Sequence, residues 1–283
     1  DTDSVFFSAK PIIEKRYPHI DMTDNNAMAN AILPIADEVQ VYINKMYDLY
    51  AQRIHNVNKH RFDIKQELIS RAGIWIAKKR YAQWVINQEG NPCDKLDVKG
   101  IDVVRSSFPA AMRTFLSGVL RSILENKTQH AIDEDILNFK DDMKGMHTSE
   151  IAKSTGVKNI EKHIFKDEES IELSKGAPAH VKAAVAYNNM LRRTGTTNKG
   201  EIRSGDKIKW VYLKQNPYGL DAMAFKNYDD PDVVLEFINK YINYDKIFTR
   251  ELYNKLEGFY SAMKWGEVPT HDMRQVHKFF DFN

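Results

Sequence analysis

Cysteine is all but absent. Cys93 stands alone among 283 residues, so no internal disulfide can staple the fold, and no Cys/His cluster has zinc spacing. No apolar run approaches the roughly 20 residues needed to span a bilayer. The first residues, DTDSVFFS, show no signal-peptide pattern. A reducing, cytosolic setting is the expectation that follows. There is no internal repeat and no low-complexity tract. What the chain has in quantity is apolar and aromatic residues, 42% and 11%, enough for a sizeable core and against global disorder.

Net charge is only +2, but its distribution is uneven. Lys59 to Ala82 carries seven Lys/Arg against two Asp/Glu, and Ser174 to Lys214 carries nine against two. Between them, Gln129 to Leu173 holds eleven acids against six bases. Two basic blocks around an acidic one suggest polyanion contact through selected surfaces. The competing reading is that long helices simply need solvated faces.

Periodicity predicts an α+β chain. Val5, Phe6 and Phe7 favour a strand at the start. Ile35, Val39, Ile43, Met46 and Tyr50 recur at helical spacing, with Pro34 placed near the helix start. Residues 60–86 and 94–104 alternate like strands, with a turn at Gly90–Asn91–Pro92. Beyond Ser107 the pattern turns helical. Ser106 or Ser107 can cap, and Met112, Leu116, Val119 and Ile123 form a stripe. Further helices are expected near 131–144, 149–154, 179–193, 231–242 and 246–264, and a strand over Lys207–Lys214. The first part, roughly 105 residues, has too few elements to close a two-layer core by itself.

Three short segments carry chemistry. In DTDS, residues 1–4, Asp1 and Asp3 would share a face of a strand. Converging carboxylates call for a divalent cation such as Mg2+, although a solvated loop also accommodates Asp-x-Asp. In KKRYA, residues 78–82, Lys78 and Lys79 are point charges, Arg80 a planar fork and Tyr81 a rigid ring with a hydroxyl. On a strand, Lys79 and Tyr81 would share one face and Lys78 and Arg80 the other. Such a face can reach a duplex minor groove; an edge strand guarded by lysines is the alternative. The third segment, KGIDVVRSS at 99–107, ends the β-rich part and places Arg105 at the junction.

The order DTDS, KKRYA, KGIDVVRSS at these separations resembles the family B DNA polymerases, and among them the replicative polymerases of large myovirus-type phages. KGAPAHVKAAVAYN at 175–188 is similar to a thumb segment that grips duplex, and VHKFFDFN at 276–283 to a sliding-clamp-binding tail. The resemblance implies the C-terminal part of a palm over 1–104, an antiparallel sheet plus helix. A mostly helical thumb would follow over 105–265, and the tail over 266–283. It implies that Asp3, with Asp1, ligates the two catalytic Mg2+ ions. Lys79 and Arg105 would check the minor groove, Tyr81 would position the primer, and Lys78 and Arg80 would join that DNA contact. His180, Lys182 and Lys175 would hold phosphates in the thumb. Phe279, Phe280 and Phe282 would anchor a clamp-binding peptide, raising processivity by tethering.

The same resemblance implies what else is required. A second palm carboxylate and the nucleotide-handling fingers helix have no counterpart in the chain. The expectation is that it does not polymerise DNA alone and works with an N-terminal remainder, in the same or a separate chain, on primer-template and dNTP. The implied location is the cytoplasm of an infected bacterium. Two rival classes stay open at this point. One is a non-catalytic module binding duplex DNA and a sliding clamp. The other is an unrelated transferase using Asp-x-Asp on a sugar nucleotide, which leaves KKRYA, KGIDVVRSS and the Phe tail unexplained.

Overall fold

The computed structural model describes residues 4–62, 64–166, 171–173, 176–196, 200–226 and 230–270. The chain divides between Lys99 and Gly100 into two compact units.

The first unit contains α1 (Lys10–Arg16), α2 (Asn25–His55) and an antiparallel meander of β1 (Leu68–Ala77), β2 (Arg80–Gln88) and β3 (Asn91–Lys99). Among the described residues, the strand expected at the start is not formed. Residues 4–9 are irregular and Val5 is 87% exposed. Strand propensity alone does not hold a strand; among the described residues no neighbouring ladder pairs with this one. Helix α2 begins well before Pro34. Asp24 caps it, its side chain accepting a bond from the Asn26 N–H at 2.8 Å. Pro34 therefore lies inside the helix, where it removes one backbone bond. Burial on both sides offsets that loss. Ile35 packs with Ala9 and Ile13 of the α1 region, and Ala29 packs with Ile69 and Ile86 of the sheet.

Residues 60–62 and 64–67, expected as strand, instead return along the second half of α2. The Ile64 carbonyl accepts from Asn44 Nδ2 at 3.2 Å. The Gln66 N–H donates to Gln40 Oε1 at 3.1 Å, and the His60 N–H to Asp48 Oδ1 at 3.1 Å. Helix side chains thus satisfy backbone groups that a sheet ladder would otherwise take.

In the meander, Trp75 pairs with Tyr81 and Tyr81 with Lys99, while Gly73 faces Gln83 and Gln83 faces Asp97. The second turn is Glu89–Gly90, one residue earlier than expected, both with positive φ (50° and 85°). Pro92 falls in β3, an edge strand, where its missing N–H is tolerated. One face carries Ile69, Trp84 and Ile86 against Ala29 and Leu33 of α2. The other carries Gly73, Trp75, Tyr81 and Gln83. The buried Gln83 amide accepts from Ser70 Oγ at 2.7 Å and donates to Asp97 at 3.0 Å.

The second unit opens with a 3-10 turn, Asp102–Val104, where strand was expected. Then come α3 (Ala110–Leu124), α4 (Gln129–Asp142), α5 (Thr148–Ile151), β4 (Lys153–Gly156), β5 (Ile164–Lys166), β6 (Ile171–Leu173) and α6 (Ala179–Arg193). They are followed by β7 (Lys207–Tyr212), β8 (Ala222–Phe225), α7 (Asp232–Tyr241), α8 (Tyr244–Phe248) and α9 (Asn254–Met263). Pro109, not Ser106 or Ser107, occupies the cap of α3; Met112, Leu116, Val119 and Ile123 are all buried as the stripe requires. The helix expected over 149–154 stops after one turn because Lys153–Gly156 pairs with β7. The helix expected over 246–264 is interrupted by a π-helical turn, Thr249–Tyr253. Sheet β4-β7-β8 is antiparallel. Its buried Trp210, Met223, Ala224 and Phe225 share this unit's core with Val181, Ala184 and Tyr187 of α6. The Tyr187 hydroxyl donates to Asp230 at 2.7 Å, and Asn188 bonds both the N–H and the carbonyl of Ile202. Among the described residues the architecture is α+β, helices with two small three-stranded antiparallel sheets and a two-stranded ribbon.

Candidate nucleic-acid interface

The KKRYA segment is a turn rather than a strand throughout. Ala77 pairs with Arg80, so Lys78 and Lys79 are the two-residue tip between β1 and β2. Period-two alternation therefore does not apply to them; Arg80, Tyr81 and Ala82 lie on β2. Lys79 has φ 61°, the left-handed region that costs an L-residue conformational energy. Lys78, Lys79 and Arg80 are all exposed. Lys99 lies across from Tyr81 and pairs with Asp97 at 3.2 Å.

Beside these cations stands an aromatic group. Trp75 and Tyr81 stack with an interplanar angle of 25° and ring centres 6.4 Å apart. Phe6, two residues past the DTDS box, meets Trp75 edge-on at 5.7 Å and Tyr81 at 5.5 Å. The chain that leaves the acidic box thus rests on the KKRYA hairpin. Asp1 and Asp3 themselves lie outside the described residues, as do Lys175, Phe279, Phe280 and Phe282. Among the described residues no group of three or more His, Cys, Asp or Glu gathers as a metal site.

Arg105 belongs to the second unit. Its side chain is 66% exposed, and the guanidinium pairs with Asp102 at 3.0 Å. The other Asp102 oxygen faces Lys255 at 3.5 Å, whose ammonium lies 5.2 Å from the centre of the Phe108 ring. One carboxylate thus orients two cations near the start of the unit.

His180 is the second residue of α6, after the Pro178 cap. Burial holds its pKa below the ordinary histidine value, and the nearby His163 and Lys153 push it the same way. Lys153 itself pairs with the buried Glu251 at 3.1 Å. Lys182, one turn into the helix, pairs with Asp221 at 3.0 Å.

The structure therefore brings Lys78, Lys79, Arg80 and Tyr81 to one hairpin end, and His180 and Lys182 to one helix start. Sequence reasoning missed Trp75 and Phe6, and it missed Asp102 and Asp221, which hold two of the chosen cations. The signal for Trp75 was present, since Gly73 and Trp75 alternate on the strand that leads into KKRYA. The two acids lie 3 and 39 positions away from their partners, and nothing in the local pattern of Asp221 points back to Lys182.

Comparison with known proteins agrees with this geometry at the level of the family. No curated protein was found to match the chain. The model for DNA polymerase family B matches residues 36–262, well over half of the length. The chain belongs to the family B DNA polymerases.

Proposed function

We propose that residues 1–104 are the C-terminal part of a polymerase palm, 105–265 a thumb and 266–283 a sliding-clamp-binding tail, of the kind found in large myovirus-type phage polymerases. In this reading the chain serves template-directed nucleotidyl transfer together with an N-terminal remainder. That remainder supplies a further carboxylate and the dNTP site. Asp3, with Asp1, would ligate the Mg2+ that family B polymerases use. Lys79 and Arg105 would enter the minor groove behind the growing end, where every correct pair presents acceptors at similar positions. Tyr81 would position the primer strand, with Lys78 and Arg80 on the adjoining backbone. His180, Lys182 and Lys175 would hold thumb phosphates, and Phe279, Phe280 and Phe282 would fill a clamp pocket.

The observation that carries this reading is the hairpin tip. Three exposed cations and Tyr81 stand at one end of β1–β2, and Phe6 packs there directly after the acidic box. A duplex held mainly by cations is released by salt. For each phosphate that the protein neutralises, log K falls by about 0.9 with every tenfold rise in salt.

Anisotropy of a labelled primer-template at two salt concentrations tests the reading, with the Lys79→Ala/Arg105→Ala double variant as control. Tight, salt-sensitive binding that falls by more than about tenfold in the variant is expected, since each charged hydrogen bond removed is worth about 1.5–3 kcal/mol. Binding indifferent to the variant would sink the assignment of the palm surface. Magnesium-dependent primer extension by the pure chain would remove the need for a remainder.

A further inference from the structure

We infer that Trp75, backed by Tyr81 and Phe6, is a rigid aromatic platform on which the primer strand of a bound primer-template packs. The inference rests on the polymerase reading and adds a DNA-contacting residue to it.

Trp75 is 53% exposed, although an indole normally contributes most of its area to a core. It is nevertheless held on three sides. Its cross-strand partner Tyr81 stacks with it, and Phe6 closes on both rings. Underneath lies Gly73. A Cβ built there would come 2.6 Å from Trp75 Cη2 and 2.8 Å from Cζ3, closer than real contacts allow. The indole therefore lies back along the sheet surface, in space that only glycine leaves open. A ring laid flat and braced in this way presents a π-face at little further entropic cost.

Charge decides what that face receives. Lys78, Lys79 and Arg80 stand exposed at the turn next to it, and Lys99 is directly across from Tyr81. The acid on the neighbouring register row, Asp97, is engaged by Lys99 and Gln83. An aromatic surface rimmed by cations suits a polyanion with flat, apolar bases and sugars. It suits a hydrophobic protein segment poorly, because such a segment would have to desolvate the cations without neutralising them.

The test combines tryptophan emission with anisotropy, using the full chain and a DNA primer-template with a recessed 3′ end. Wild type is compared with Trp75→Phe, Trp75→Ala and Gly73→Ala, each checked by far-UV circular dichroism. Duplex should quench wild-type emission, and that quench should vanish in Trp75→Phe, which keeps a ring and the fold. Trp75→Ala should weaken binding on the order of tenfold. Gly73→Ala keeps the indole but lifts it, and should weaken binding comparably. If wild type binds with sensitivity to Lys79→Ala/Arg105→Ala, but Trp75→Phe shows the same quench and all three variants keep their affinity, the platform is refuted while the polymerase reading stands. The face would then belong to a protein neighbour. Absence of duplex binding by wild type would refute both.

Discussion

The two units treat their apolar side chains in opposite ways. In the second, Leu116, Val181, Met223, Leu252 and Phe259 are each fully buried, and helices cover the sheet β4-β7-β8. In the first, Tyr42, Met46, Tyr50 and Ile54 run at four-residue spacing along the second half of α2, and all are exposed. Among the described residues, all but two of the exposed large apolar side chains belong to the first unit; the exceptions are Val104 and Tyr218. A contiguous apolar stripe of this kind usually marks contact with other protein or ligand. The second unit holds its core within itself, whereas the first has the elements of a sheet-and-helix layer with its outer surface uncovered.

Truncation in the two units breaks or sharpens that contrast. Leu116→Ala should cost about 2–5 kcal/mol, because a filled site in a closed core cannot collapse fully. Ile54→Ala should stay within about 0.5 kcal/mol, as expected for an exposed position. Urea denaturation of the two variants measures both; an equal loss would mean that the exposed stripe is covered in solution. A smaller effect belongs to the second basic region, where Lys182 pairs with Asp221 at 3.0 Å. If Lys182 holds a phosphate as proposed, duplex competes with that carboxylate, so Asp221→Asn should tighten primer-template binding by up to about fivefold, consistent with a surface pair worth about 0.2–1 kcal/mol. Anisotropy at low salt reads the change, and weaker binding would show that Asp221 positions Lys182 rather than competing for it.

The smallest expected effect is a pH dependence. His180 has a lowered pKa in the fold, chiefly from burial, then from His163 and Lys153. The unfolded chain therefore binds more protons through the window below the ordinary histidine value of about 6.5. The stability associated with the neutral ring is fully present above that value and is lost as pH falls through the folded pKa. Melting the wild type and His180→Gln between about pH 7.5 and 5, a window that brackets the histidine range, should show a steeper decline for the wild type. Parallel declines would place the dependence elsewhere.

Much of this arrangement is legible in residue order, and the failures have physical causes. The stripe of α3 and the span of α6 follow from periodicity, because each buries one continuous face. The strand KIKWVYLK is present and ends at Tyr212. Residues 4–9 and 60–67 look like strand in the sequence because propensity says nothing about where a ladder partner lies. The start of α2 is hidden by Pro34, which looks like a boundary, although Asp24 offers a side-chain cap ten residues earlier. At the site, residue types point to the hairpin cations, but the two-residue turn, the braced Trp75 and the acid opposite Lys182 depend on register and tertiary approach.

If Lys79 enters the minor groove as proposed, its left-handed backbone sets thermal resistance against DNA affinity. Glycine occupies that conformation without the penalty of roughly 1–2 kcal/mol borne by an L-residue. Lys79→Gly should therefore raise the melting temperature of the first unit while weakening primer-template binding, measurable by calorimetry and anisotropy on one preparation. In that reading, a position at which the most comfortable residue is the less useful one is where selection for heat tolerance alone would erode the hold on DNA.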